Sequence, residues 1–130
     1  MMELRTTHIN FYDCKDNPIL FDPTEMDKFL VNLVNFISMT VIPSELMGGG
    51  IKNPNSFLFE PSNRDKVEYG VTGIVILYES HIAAHSFPYK HNGFINIIIT
   101  SCKDYDPKLT LLWLCACLGS TNYKYFSQKL

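Results

Sequence analysis

Apolar positions recur along this chain at two periods, and the switches between them mark out its elements. "THINFYD", Thr7 to Asp13, alternates with a period of two and predicts a strand. "DPTEMDKFLVNLVNFISM" then opens with Asp22, Pro23 and Thr24, a combination suited to a helix start. Met26, Phe29, Leu30, Leu33, Val34 and Ile37 follow at helical spacing, which predicts an amphipathic helix with one face on a sheet. "TVIPSEL" predicts a second, shorter strand, with Pro43 near its end or on an edge. "MGGGIKNPN" predicts a loop, "SFLFE" a short strand, and "PSNRDKVEYG" a polar connection. "VTGIVILYE" is a long apolar run with β-branched residues, as a central strand requires. "HIAAHSF" and "GFINIIITS" predict two further strands. "YDPKLTLLWLCACLG" repeats the Asp-Pro helix opening and ends at Gly119, a fitting C-cap. "TNYKYFSQ" alternates aromatic residues as an edge strand does.

The predicted order is strand, helix, several strands, helix, strand. Consecutive strands without crossover helices imply antiparallel pairing. The fold class is therefore α+β: a two-layer α/β sandwich, a mainly antiparallel sheet with two helices on one face. No linker divides the chain, so residues 1–130 are expected to form a single domain.

Composition narrows the function. A formal charge of -2 over 130 residues argues against a broad nucleic-acid surface. No apolar stretch reaches the length of a membrane span. "MMELRTTHIN" turns polar at once, without the apolar region of a signal peptide, so the expected location is cytoplasmic. Cys14, Cys102, Cys115 and Cys117 match no zinc spacing, since "CAC" is not a CxxC knuckle, and no metal is expected. In a reducing compartment they are thiols, and Cys115 and Cys117 read as small buried hydrophobes.

Reactive side chains collect where the long apolar run stops. Glu79, Ser80 and His81 are consecutive, and His85 follows. Taken alone, such a cluster reads as a solvated hairpin corner. No GxSxG elbow is present, and Ser80 and His81, as strand neighbours, point to opposite faces. Ser80 and His85 meet if the chain reverses near Ile82 and Ala83. His8 and His91 read as structural or exposed. Cys102 ends one apolar strand as Ser80 follows another, and antiparallel pairing would bring those ends together.

"GVTGIVILYESHIAAHSFP", followed by "NIIITSC" and "DYDP", resembles the bacterial and archaeal type of S-adenosylmethionine decarboxylase proenzyme. The ordered positions are Thr72, Glu79, Ser80, His81, His85, Phe87, Pro88 and Cys102, and "HINFYDC" with the helix after it resembles the family's opening. The resemblance covers most of the chain and is weakest between Met47 and Tyr69, where this protein is longer. It implies that the chain cleaves itself between Glu79 and Ser80 into a β chain of residues 1–79 and an α chain of residues 80–130. Ser80 becomes a pyruvoyl group, the built-in cofactor, which forms a Schiff base with the substrate amine without metal or pyridoxal phosphate. Thr72 then supplies a processing hydroxyl, His85 the processing proton transfer, and Cys102 the proton donor to substrate. Phe87, and Phe59 within "FEP", are the implied substrate-binding aromatics, with a core residue as the equal alternative for Phe59.

The resemblance further implies a homodimer with sites built between subunits, acting on S-adenosylmethionine for spermidine synthesis. Two departures stand out. The family's Thr-Trp-Pro-Glu after the second histidine is here Ser86, Phe87, Pro88, Tyr89, so an acid is replaced by Tyr89. Two additional residues separate His85 from Cys102, absorbed by "YKHNG". The missing acid motivates an alternative substrate, arginine or ornithine. A third possibility is an unprocessed, non-catalytic homologue that binds or assembles.

Overall fold

The structure is a computed structural model that describes residues 4–59 and 69–130. Six strands and two α-helices follow in the order β1 (Arg5–Phe11), α1 (Pro23–Phe36), β2 (Asn55–Phe59), β3 (Gly70–Leu77), β4 (Ser80–Phe87), β5 (Phe94–Ser101), α2 (Pro107–Leu118) and β6 (Tyr123–Lys129). The strands form one antiparallel sheet in the order β2-β3-β4-β5-β1-β6. The helices pack on one face of it, which is the predicted two-layer α+β sandwich.

Both Asp-Pro openings act as expected. Asp22 accepts a hydrogen bond from the Thr24 N–H, and Asp106 accepts from Lys108 and Leu109, with proline in the first turn each time. Helix α2 ends where Gly119 takes a left-handed φ of 68° and returns its N–H to the Cys115 carbonyl. Alternation decides the layers. Ile9 and Phe11 of β1, Val71, Val75 and Leu77 of β3, Ile82 and Ala84 of β4, and Ile95, Ile97 and Ile99 of β5 are all buried. They meet Met26, Phe29, Leu30, Leu33 and Val34 of α1 and Leu111, Leu114 and Leu118 of α2 in one core. The intervening strand residues face away from the helices. This open face carries Ile74, Ala83 and Ile98 in one row, flanked by Thr72, His85 and Asn96 on one side and Ile76, His81 and Thr100 on the other.

The structure corrects one predicted element. "TVIPSEL" is not a strand. Val41 makes an isolated bridge with Leu77, Ile42 donates to the Ile76 carbonyl, and Ser44–Leu46 is a short 3-10 helix. Pairing stops at Pro43, which has no N–H to continue the ladder. "SFLFE" forms a strand, bounded at Asn55 and Phe59, and most of "PSNRDKVEYG" lies outside the described residues.

Gly70 admits a close backbone approach beside Thr72. A β-carbon there would stand 1.8 Å from the Ser86 carbonyl oxygen. Gly70→Ala is expected to destabilise the fold by about 3 kcal/mol, the upper range for an overpacked site. A fall in the urea midpoint at constant m-value measures it.

Candidate active site

The β3–β4 hairpin turns through two residues, Tyr78 and Glu79, with Leu77 paired to Ser80. Glu79 has φ 72°. A side chain in this left-handed region costs roughly 1–2 kcal/mol, a cost glycine avoids. The peptide bond that joins Glu79 to Ser80 thus sits at a strained corner.

Three polar contacts converge there. The Ser80 hydroxyl donates to the Glu79 carbonyl oxygen at 2.6 Å, directly across its own peptide bond. The Cys102 N–H donates to the same Ser80 oxygen at 3.1 Å. The Cys102 Sγ–H donates to Glu79 Oε2 at 3.3 Å. The proximity expected of Ser80 and Cys102 follows from register: β4 and β5 are antiparallel, with His81 opposite Thr100, so the start of one strand meets the end of the other. A cavity of about 290 Å³ opens beside this cluster, lined by Met39, Thr40, Tyr78, Glu79, Cys102 and Lys103, among others. Lys103 closes one side, its ammonium donating to the Ser38 carbonyl.

Thr72 and His85 form a second group. They are directly paired across β3 and β4, with Thr72 Oγ1 3.1 Å from His85 Nδ1. Phe59 and Phe87 line a cavity of about 170 Å³ with Gly70, Thr72 and Ser86. Phe59 is 52% exposed on the edge strand β2, so its reading as a core phenylalanine is corrected. The Lys90 ammonium lies 4.9 Å from the centroid of the Phe87 ring.

The two groups are apart within the chain. Strand β4 runs unbroken from Ser80 to Phe87, so the chain reversal near Ile82 and Ala83 does not occur. Ile82 and Ala84 pair on both sides with β3 and β5, and that ladder keeps the strand extended. Ser80 and His85 are therefore separated by five residues of strand, about 17 Å, with opposite alternation parity.

The other singled-out residues have quieter settings. His8 and His91 are exposed, and His91 packs edge-on to Tyr12. Tyr89, in place of the acid, stacks edge-on to Phe21. Burial pushes the Cys14 thiol up to about 11, helped by the Asp13 charge, and also raises Cys115 and Cys117. Cys14 is fully buried, whereas Cys115 and Cys117 are only partly so. Among the described residues, no group of three or more His, Cys, Asp or Glu side chains converges to hold a metal ion. No helix among them is long and apolar enough to cross a membrane.

Two contacts were not read from the sequence: the Glu79 carboxylate on Cys102 and the Cys102 amide on Ser80. Both depend on the β4–β5 register, which no local motif encodes.

The profile of the S-adenosylmethionine decarboxylase family matches residues 5–129. The S-adenosylmethionine decarboxylase proenzyme of Anoxybacillus flavithermus is 31% identical over 91 residues, covering 69% of this chain and 66% of that protein. The proenzyme of Bacillus velezensis is 34% identical over 80 residues, covering 61% of this chain and 56% of that protein. The matches thus span about two thirds or less of these relatives' own length. The crystal structure of the adenosylmethionine decarboxylase from Aquifex aeolicus superposes with a TM-score of 0.65 at 17% identity, covering 98% of this chain and 90% of that one. A profile match from β1 to β6, over the same residues that form the strained Glu79–Ser80 corner, leaves one conclusion: the chain belongs to the S-adenosylmethionine decarboxylase family.

Proposed function

We propose that this chain is a self-processing decarboxylase of S-adenosylmethionine that cleaves between Glu79 and Ser80 and uses the resulting pyruvoyl group. The observation that carries this is the Ser80 hydroxyl at 2.6 Å from the Glu79 carbonyl oxygen, on a strained turn.

The residues present fit the generation of that group. The Ser80 oxygen adds to the Glu79 carbonyl carbon, and the peptide C–N bond breaks as the proton passes to nitrogen, leaving an ester. A base then removes the Ser80 α-hydrogen. The Cβ–Oγ bond breaks, and the oxygen departs as part of the Glu79 carboxylate. The Cys102 N–H, already on that oxygen at 3.1 Å, stabilises the charge it acquires on leaving. Water converts the remaining dehydroalanine to a ketone with loss of ammonia. When formed, the pyruvoyl group supplies an electron sink for loss of carbon dioxide from an amino acid bound through its amine. Cys102, whose N–H is on the Ser80 oxygen, would then return a proton to the substrate carbon.

Processing also needs a base and an oxyanion donor, the roles proposed for His85 and Thr72. Because His85 lies about 17 Å from Ser80 along β4, with Thr72 paired beside it on β3, a second copy of the chain supplies them. The open sheet face supports this arrangement. A two-fold axis along the Ile74–Ala83–Ile98 row sets His85 of one copy against His81 of the other, beside the Glu79–Ser80 peptide bond at the strand end, and the reverse. Ile74, Phe57, Phe59 and Phe126 are exposed on the lone chain and gain burial in such a pair. Phe59 and Phe87, around the cavity with Thr72, then flank the substrate's base as aromatic faces. Light scattering should return twice the chain mass; monomer alone at working concentration counts against the shared site.

Carbon dioxide release from labelled S-adenosylmethionine, arginine and ornithine tests the substrate. Release from the first supports the reading, and release only from a basic amino acid transfers it to the alternative that Tyr89 motivates. A protein that never cleaves defeats it. Cys102→Ala should still cleave, while decarboxylation falls by about 10²–10⁴-fold, the usual contribution of a general acid. Turnover like wild type would make Cys102 a structural thiol.

A further inference from the structure

Glu79 has two features that self-cleavage does not require. Cleavage uses its carbonyl, which any residue provides. Yet the position has φ 72°, where glycine or asparagine sits at least cost, and it is occupied by a glutamate. The carboxylate of that glutamate reaches across the start of β4 to accept the Cys102 Sγ–H at 3.3 Å. An unfavourable backbone position retained together with a specific side-chain contact marks the side chain as the useful part.

We infer that the Glu79 carboxylate is a positioning partner of the Cys102 thiol, orienting its S–H beside position 80 until a substrate carbon takes the proton. The inference rests on Cys102 being the proton donor of the proposed reaction. In that step the S–H bond breaks, a C–H bond forms, and the sulfur is left as a thiolate. A proton drawn from water then restores the thiol. The cavity lined by Tyr78, Glu79, Cys102 and Lys103 borders both groups, and Glu79 itself is exposed. Cleavage would make Glu79 the last residue of the β chain. Its contact with Cys102 would then hold the new terminus beside the position it has just left.

The test uses chains that cannot cleave, so that it is independent of processing and turnover. In a Ser80→Ala background, iodoacetamide labelling of Cys102 at neutral pH is followed by peptide mass spectrometry, with Cys115 and Cys117 as internal references. Adding Glu79→Gln should speed labelling of Cys102 about fivefold, the factor for losing a like-charge contact at this range in water, and leave the references unchanged. Adding Glu79→Gly should do the same while relieving the turn, which separates charge from strain. Equal Cys102 rates in all three chains would overturn the inference and leave the proposed decarboxylase standing. Failure of wild type to cleave or turn over would remove the decarboxylase, whatever the labelling shows.

Discussion

Ser80→Ala should remain one 130-residue chain under conditions in which wild type separates into residues 1–79 and 80–130. The effect should be complete. The substitution removes the Ser80 hydroxyl oxygen, 2.6 Å from the Glu79 carbonyl oxygen, which in the proposed reaction adds to that carbonyl carbon and later leaves with it. A general hydrolysis at an exposed corner would not need it. Intact-mass analysis of fresh and aged protein distinguishes the two: a Ser80→Ala chain that still breaks at this bond would mean that the strained turn is merely protease-sensitive. Ser80→Cys keeps a nucleophile and should break slowly, with a thioester in place of the ester. Hydroxylamine cutting at position 79 reports either one.

The fold was legible because its signals are local. Two Asp-Pro caps, a 3.6-residue period from Met26 to Ile37, and strict alternation in "GFINIIITS" each state an element without reference to the rest of the chain. "TVIPSEL" failed for the same reason. Val41 and Ile42 do pair with the end of β3, but Pro43 truncates the pairing to a bridge, and a two-residue bridge has no pattern of its own. The site was legible in part. Antiparallel pairing offered a way to bring the strand ends at Ser80 and Cys102 near each other, and in the fold they are neighbours, although the particular amide contact between them follows only from the register. Ser80 and His85 would meet only through a reversal near Ile82 and Ala83, and that condition is not met, because both flanking strands hold the backbone extended there. The contact of Glu79 with Cys102 was beyond reach, since it joins residues 23 apart through a register that side-chain patterns leave open.

Two chains that cannot cleave alone should cleave when mixed as they assemble. His85→Ala lacks the proposed base and should stall, with any ester it accumulates cut by hydroxylamine. Ser80→Ala lacks the nucleophile. If each site draws Ser80 and Cys102 from one copy and Thr72 and His85 from the other, a mixed dimer of these variants contains one intact site. That site holds the serine of the His85→Ala chain and the histidine of the Ser80→Ala chain, and the second site carries both defects. Random pairing in co-expression should therefore cleave roughly half of the His85→Ala chains and none of the Ser80→Ala chains. Tagging the two chains with different masses reads out which one breaks. The asymmetry is the decisive feature, because the 17 Å or so between Ser80 and His85 along β4 forbids a site within one chain. Refolding the separate variants together should give the same result, and folding them apart before mixing should give less, to the extent that the dimer exchanges slowly. Intact His85→Ala chains after co-expression, with mixed dimers demonstrably present, would place the base within the same chain. That result would require β4 to bend in the assembled protein where here it runs straight.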